Sequence, residues 1–133
     1  MKKYILAGFL IFFGTLCYAQ TYSLYGYENG SHKVFLGTFI VRGHSIYEDK
    51  YGYTSIFNKY GSYGSEYSST SIWNKYSNWG SEYSSTSATN QYSQNPPAIV
   101  DGYGDIAGYL TANRYLSNTN FGKSVSRYFG LHR

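Results

Sequence analysis

The sequence predicts a small β-rich α+β domain, in which two β-hairpins contribute to one sheet and short helical turns from a 16-residue repeat pack against it. Three observations carry that expectation. Apolar residues alternate on both sides of Asn29-Gly30, a second pair of such runs flanks Asp101 to Asp105, and the stretch from 55 to 97 repeats itself.

In the first hairpin, over residues 21 to 41, Tyr22, Leu24 and Tyr27 form one arm, and Val34, Leu36 and Phe39 to Val41 form the other. Glu28-Asn29-Gly30-Ser31 supplies the turn, because Asn-Gly readily adopts the positive φ that tight hairpins require. The second hairpin lies within 98 to 113, where Ala98-Ile99-Val100 leads through Asp101-Gly102-Tyr103-Gly104-Asp105 into Ile106 to Thr111. Pro96-Pro97 in front of it stops any earlier helix and feeds an extended segment. The last segment, 116 to 133, carries Phe121, Val125, Tyr128, Phe129 and Leu131, and adds a strand or a short helix to the core unless it frays.

Between the hairpins, the 16 residues from Ser55 to Thr70 recur as Ser71 to Thr86 with twelve identities. The four differences are Phe57/Trp73, Gly61/Ser77, Ser62/Asn78 and Tyr63/Trp79, and a third copy starts at Ser87 and decays into Pro96-Pro97. Ile56, Tyr60, Tyr63 and Tyr67 are spaced four, three and four apart, as are Ile72, Tyr76, Trp79 and Tyr83, which matches one face of a helix. Gly61 and Gly64 oppose a long helix, each costing about 1 kcal/mol relative to alanine. Short helical turns are therefore expected, capped by Ser55 or Ser71 and ending near Gly61 or Ser77, with the Gly-Ser-Glu-Tyr-Ser-Ser segments as ordered connectors. On this pattern Ile56, Tyr60, Ile72 and Tyr76 read as core. Disorder is the competing reading, since Ser, Gly, Asn and Tyr also compose prion-like tracts.

Residues 1 to 19 read as a signal peptide. Lys2 and Lys3 precede an apolar run from Tyr4 to Leu16, and Cys17-Tyr18-Ala19 supplies small residues three and one before a cut at Ala19-Gln20. That run is too short to span a hydrocarbon core of about 30 Å, and no later run comes close, so no transmembrane span is expected in the mature chain. A lipoprotein anchored at Cys17 is the alternative, opposed by the bulk of Leu16. Cleavage removes the only cysteine, so no disulfide is available to the mature chain. The remaining residues, 20 to 133, make one domain: hairpin and linker over 20–54, repeats over 55–97, second hairpin over 98–115 and C-terminal segment over 116–133. The expected location is secreted, periplasmic or envelope-associated.

The formal charge of +4 falls to +2 once Lys2 and Lys3 are removed, and the remaining basic residues are scattered, which argues against nucleic acid as a partner.

Ser71-Ile72-Trp73-Asn74-Lys75-Tyr76, with Tyr63-Gly64-Ser65 before it and Asn95-Pro96-Pro97-Ala98-Ile99-Val100-Asp101 and Gly108-Tyr109-Leu110-Thr111 after it, resembles a family of small bacterial exported or envelope proteins. Members carry tandem Ser-Ile-Trp-Asn repeats closed by a Pro-Pro segment and a final Gly-Tyr-containing strand. The resemblance covers roughly residues 33 to 113, implies architecture and carries no activity. Thr38-Phe39-Ile40-Val41 stands where many members have two cysteines after the Leu-Gly that matches Leu36-Gly37, so no redox or metal role for that pair transfers.

No residue set composes a recognisable active site. His32, His44 and His132 lack second ligands at metal-binding spacing, so neither metal nor cofactor is expected. No Gly-x-Ser-x-Gly elbow exists. Glu66 and Glu82 occupy equivalent repeat positions, and paired carboxylates serve glycoside hydrolysis, yet duplication produces such pairs without any catalytic demand. Asp101 to Asp105 lacks the ligands of an EF-hand loop and reads as a turn. The candidates that remain are Phe57, Tyr63, Trp73 and Trp79, rings recurring in register that either stack on sugars and anchor protein partners or fill the core of a chain poor in Leu and Val. The leading expectation is a non-enzymatic binding or structural module that uses an aromatic-rich face on a cell-wall glycan, an envelope protein or itself. A small hydrolase of envelope polymers using Glu66 and Glu82, and a self-assembling tyrosine-rich surface protein, are the alternatives.

Overall fold

A computed structural model describes residues 19–131. The expected signal peptide lies outside the described residues except for Ala19, which opens the first strand.

The two hairpins form as the sequence indicates, and in one sheet. Strands β1 (Ala19–Glu28) and β2 (Ser31–Arg42) pair antiparallel from Ala19↔Arg42 to Glu28↔Ser31. Their turn holds Asn29 at φ 49° and Gly30 at φ 90°, the double positive φ of a tight hairpin. A third strand absent from the sequence reading, β3 (Ser45–Tyr47), folds back on β2. Strands β4 (Ala98–Val100) and β5 (Ile106–Tyr109) form the second hairpin, and β4 pairs with β1. The sheet order is β3-β2-β1-β4-β5. In the Asp101 to Asp105 turn, the Asp101 carboxylate accepts from the amides of Tyr103 (2.9 Å) and Asp105 (3.0 Å), so that aspartate serves the turn. The C-terminal segment takes the helical option as α1 (Asn120–Tyr128), with Thr119 as N-cap accepting from the Gly122 amide at 3.0 Å.

A β-bulge joins the repeats to the sheet. The β1–β2 register shifts between Ser23 and Tyr25, and Gly37 opposite sits at φ 104°. A Cβ at Gly37 would lie 2.6 Å from Tyr63 Cβ and 2.8 Å from Ile56 Cγ2, so only glycine admits the repeat segment this close. The next residue takes up the contact. The Thr38 amide donates to Thr54 O at 2.8 Å, and the Ile56 amide donates to Thr38 O at 3.0 Å.

One core results, in which Leu24, Leu36, Phe39 and Ile99 of the sheet meet Ile56, Ile72, Trp79 and Ala88 of the repeats and Val125 of α1. Each such aliphatic side chain contributes about 1.5–3 kcal/mol by leaving water. Aromatic contacts extend the core, with Tyr22 4.8 Å from Phe121 and Phe39 6.0 Å from Phe129 between ring centroids.

The repeats depart from expectation. Instead of short helical turns, residues 49–97 form a succession of tight turns with no α-helix, and Tyr60 and Tyr76 are 97% and 86% exposed rather than core. Ile56 and Ile72 are buried as expected. Among the described residues, no helix is long and apolar enough to cross a membrane.

Candidate functional site

The physical cause of the departure is a shorter period inside the repeat. Backbone bonds join residues three apart in an unbroken series: Ser68 to Ser65, Ser71 to Ser68, Asn74 to Ser71 and Ser77 to Asn74, with N···O distances of 3.0–3.4 Å. At Gly61–Ser65 and Ser77–Ser81 the step lengthens to four residues (3.1 and 3.0 Å), so five steps of three and one added residue make up the 16.

The chain from 49 thus reads in triplets: Asp-Lys-Tyr, Gly-Tyr-Thr, Ser-Ile-Phe, Asn-Lys-Tyr, then from 65 Ser-Glu-Tyr, Ser-Ser-Thr, Ser-Ile-Trp, Asn-Lys-Tyr. The first side chain of a triplet accepts from the amide two residues ahead, as Asp49 does from Tyr51, Asn58 from Tyr60, Ser65 from Tyr67 and Asn74 from Tyr76, all at 3.0–3.1 Å. It also donates to the carbonyl six residues back, as Asn58 does to Gly52, Asn74 to Ser68 and Ser77 to Ser71, at 2.9–3.1 Å. Short polar side chains that capture local amides compete with helical bonding, and here they win wherever Asp, Asn or Ser opens the triplet, with Gly52 and Gly61 the openings that have no side chain.

Apart from Tyr53, the aromatic residues occupy the third triplet position, and their fates differ by triplet. Phe57 and Trp73 stand side by side, 6.4 Å between centroids, and Phe129 from the end of α1 braces both at 5.8 and 5.7 Å. The Trp73 indole N–H donates to Ile56 O at 2.6 Å, which fixes that ring. Tyr51 and Tyr67, 91% and 85% exposed, and Tyr60 project around this pair. Together they line a solvent-open groove of about 940 Å³, whose polar lining includes Glu48, Lys50, Lys59, Ser65 and Glu66.

Both groove carboxylates are engaged by phenols. Tyr128 on α1 donates to Glu48 Oε2 at 2.5 Å, and that bond, reinforced by desolvation, holds the Tyr128 phenol above its usual range. A hydrogen bond to Glu66, and then its charge, raises Tyr67 likewise. Lys50 and Lys59 line the same groove, and among the described residues no ion pair engages either.

Of the four rings singled out in the sequence, Phe57 and Trp73 line the groove. Tyr63 lies half-buried, its ring 4.9 Å from Phe35, and Trp79 is core at 5% exposure, packed so closely on Gly26 that a Cβ there would approach its ring to 2.5 Å. Glu66 belongs to the groove; its repeat counterpart Glu82 is exposed away from it, so the groove's second carboxylate is Glu48. Sequence reasoning missed Tyr51, Tyr60 and Tyr67, and the signal that could have found them is the Asp/Asn/Ser-x-aromatic triplet. His32 bonds Pro96 O at 2.9 Å, and among the described residues no group of three metal-ligating side chains occurs. Comparison with family models, curated proteins and solved structures yields no match.

Proposed function

We propose that this protein is a non-enzymatic, exported or envelope-associated module that binds a glycan chain in the aromatic groove. The observation that carries the reading is the exposure of Tyr51, Tyr60 and Tyr67 (91%, 97% and 85%) around one groove floored by Phe57 and Trp73. Rings so exposed bury almost nothing for the fold, while a sugar offers each an apolar face and hydroxyls for the carboxylates and amines beside it. Lys50, Lys59, Glu48 and Glu66 mix donors and acceptors along the groove, which suits a polyhydroxyl ligand better than an apolar one. The signal-like first 19 residues and the resemblance to exported repeat proteins support delivery to the envelope, where such polymers are found.

The test is calorimetric titration of the purified protein with solubilised peptidoglycan strands, β-1,4-linked N-acetylglucosamine oligomers and β-1,4-glucan oligomers, beside a Tyr51→Ala, Tyr60→Ala, Tyr67→Ala variant. Saturable binding abolished in the variant, with an unchanged melting curve, supports the reading. Absence of binding in every series refutes it. Turnover of a glycan that is lost in Glu66→Gln would replace binding with hydrolysis.

A further inference from the structure

The groove is not the end of the pattern. One repeat further along the chain, Tyr67, Tyr76 and Tyr83 stand at the positions of Tyr51, Tyr60 and Tyr67, with Lys75 at the position of Lys59. Their backbones are held by the same bonds: the Tyr76 amide to Asn74 Oδ1 at 3.0 Å matches Tyr60 to Asn58 at 3.1 Å, and Tyr83 to Ser81 Oγ at 3.2 Å matches Tyr67 to Ser65 at 3.1 Å. All three rings are exposed, at 85%, 86% and 85%. At the groove, equivalent residues of successive copies come together, for the Phe57 and Trp73 rings are 6.4 Å apart and Tyr51 and Tyr67 line the same groove. Tyr67 is therefore shared, closing the first set and opening the second.

Resting on the glycan reading, we infer that Tyr76 and Tyr83, with Lys75, form a second subsite continuous with the groove through Tyr67, and that the ligand is a polymer of repeating sugar units long enough to occupy both. The second subsite is shallower. Trp73 stands there at the position of Phe57, but Thr89 stands where the groove has Trp73, so the second subsite has one floor ring in place of two and adds affinity to a chain already captured. A second contact on a tethered chain acts at high effective concentration, and even a weak one raises affinity about tenfold or more.

The test uses the three oligomer series at two, four and eight sugar units, with wild type and a Tyr76→Ala, Tyr83→Ala variant. Wild-type affinity should rise at least about tenfold from two to eight units. The variant should keep the affinity for two units and lose the rise. A rise that survives in the variant, or affinity independent of length, overturns the second subsite and leaves the groove reading standing. No binding of any series to wild type removes both. Wild-type association that grows with protein concentration in sedimentation, with no response to glycan, would identify the tyrosine-bearing face as a self-contact and overturn the inference.

Discussion

Asn74→Ala discriminates most sharply between a coil of capped turns and a run of helical turns, because the two predict opposite signs. Asn74 is buried, donates from Nδ2 to Ser68 O at 2.9 Å and accepts from the Tyr76 amide at 3.0 Å. Two hydrogen bonds are worth about 1 kcal/mol each, and stranding a partly buried group adds up to about 1 more. The expected loss is therefore about 2–3 kcal/mol, or about 8–12 °C in melting temperature for a domain of this size. In a helical turn the same change would replace a poor helix former by the best one and stabilise by up to about 0.7 kcal/mol. Asn74→Ser is the control, since serine fills this role at Ser77, accepting from Trp79 at 3.2 Å and donating six residues back to Ser71 at 3.0 Å. It should cost less than about 1 kcal/mol. Urea and thermal unfolding followed by circular dichroism measure both. A neutral or stabilising Asn74→Ala, or a serine variant as unstable as the alanine variant, would refute the capped-turn account.

Three further outcomes follow from particular contacts. Tyr60→Ser should alter stability by no more than about 0.5 kcal/mol in urea unfolding, because the ring is 97% exposed. Gly26→Ala should destabilise by about 1–3 kcal/mol, since its Cβ would come within 2.5 Å of the Trp79 ring, and a Trp79→Leu background should relieve much of that loss in the same assay. The native Tyr128 phenol titrates above its usual 10.0, so its contribution is fully present below pH 10 and is lost as pH rises through the raised native value. The gap in urea midpoint between wild type and Tyr128→Phe should therefore be constant from pH 7 to 9 and narrow only above about pH 10.

The sheet was legible because its signals are local. Asn29-Gly30 demands a tight hairpin turn, and Pro96-Pro97 marks where the chain leaves the repeats for β4. The pairing of β1 with β4, which unites the two hairpins, depends on packing that no local pattern encodes. The repeat was legible as a repeat and misleading as a helix. Its spacing of four, three and four arises because the isoleucine sits in the middle of its triplet, the aromatic residues that follow close theirs and one extra residue enters each copy, and a periodicity search tuned to helices and strands has no template for three. A helical period turns Tyr60 and Tyr76 inward, whereas both face water, and Trp79 is core because Gly26 opens a slot for it in β1. Of the candidate site, Phe57, Trp73 and Glu66 were visible from sequence, whereas Glu48 directly follows β3, the strand no sequence signal announced, and is engaged by Tyr128 of α1, 80 residues away along the chain.

The central claim, that the aromatic groove receives a glycan, has a reporter already in place. Trp79 is buried at 5% exposure while Trp73 lines the groove at 37%, so a ligand entering the groove alters the emission of Trp73 and leaves Trp79 unchanged. Titration of tryptophan fluorescence with an eight-unit oligomer of each series should give a saturable change in at least one, and Tyr51→Ala, Tyr60→Ala should weaken it at least about tenfold. Emission that stays flat to millimolar oligomer in every series, from a protein whose unfolding curve is cooperative, would contradict the account.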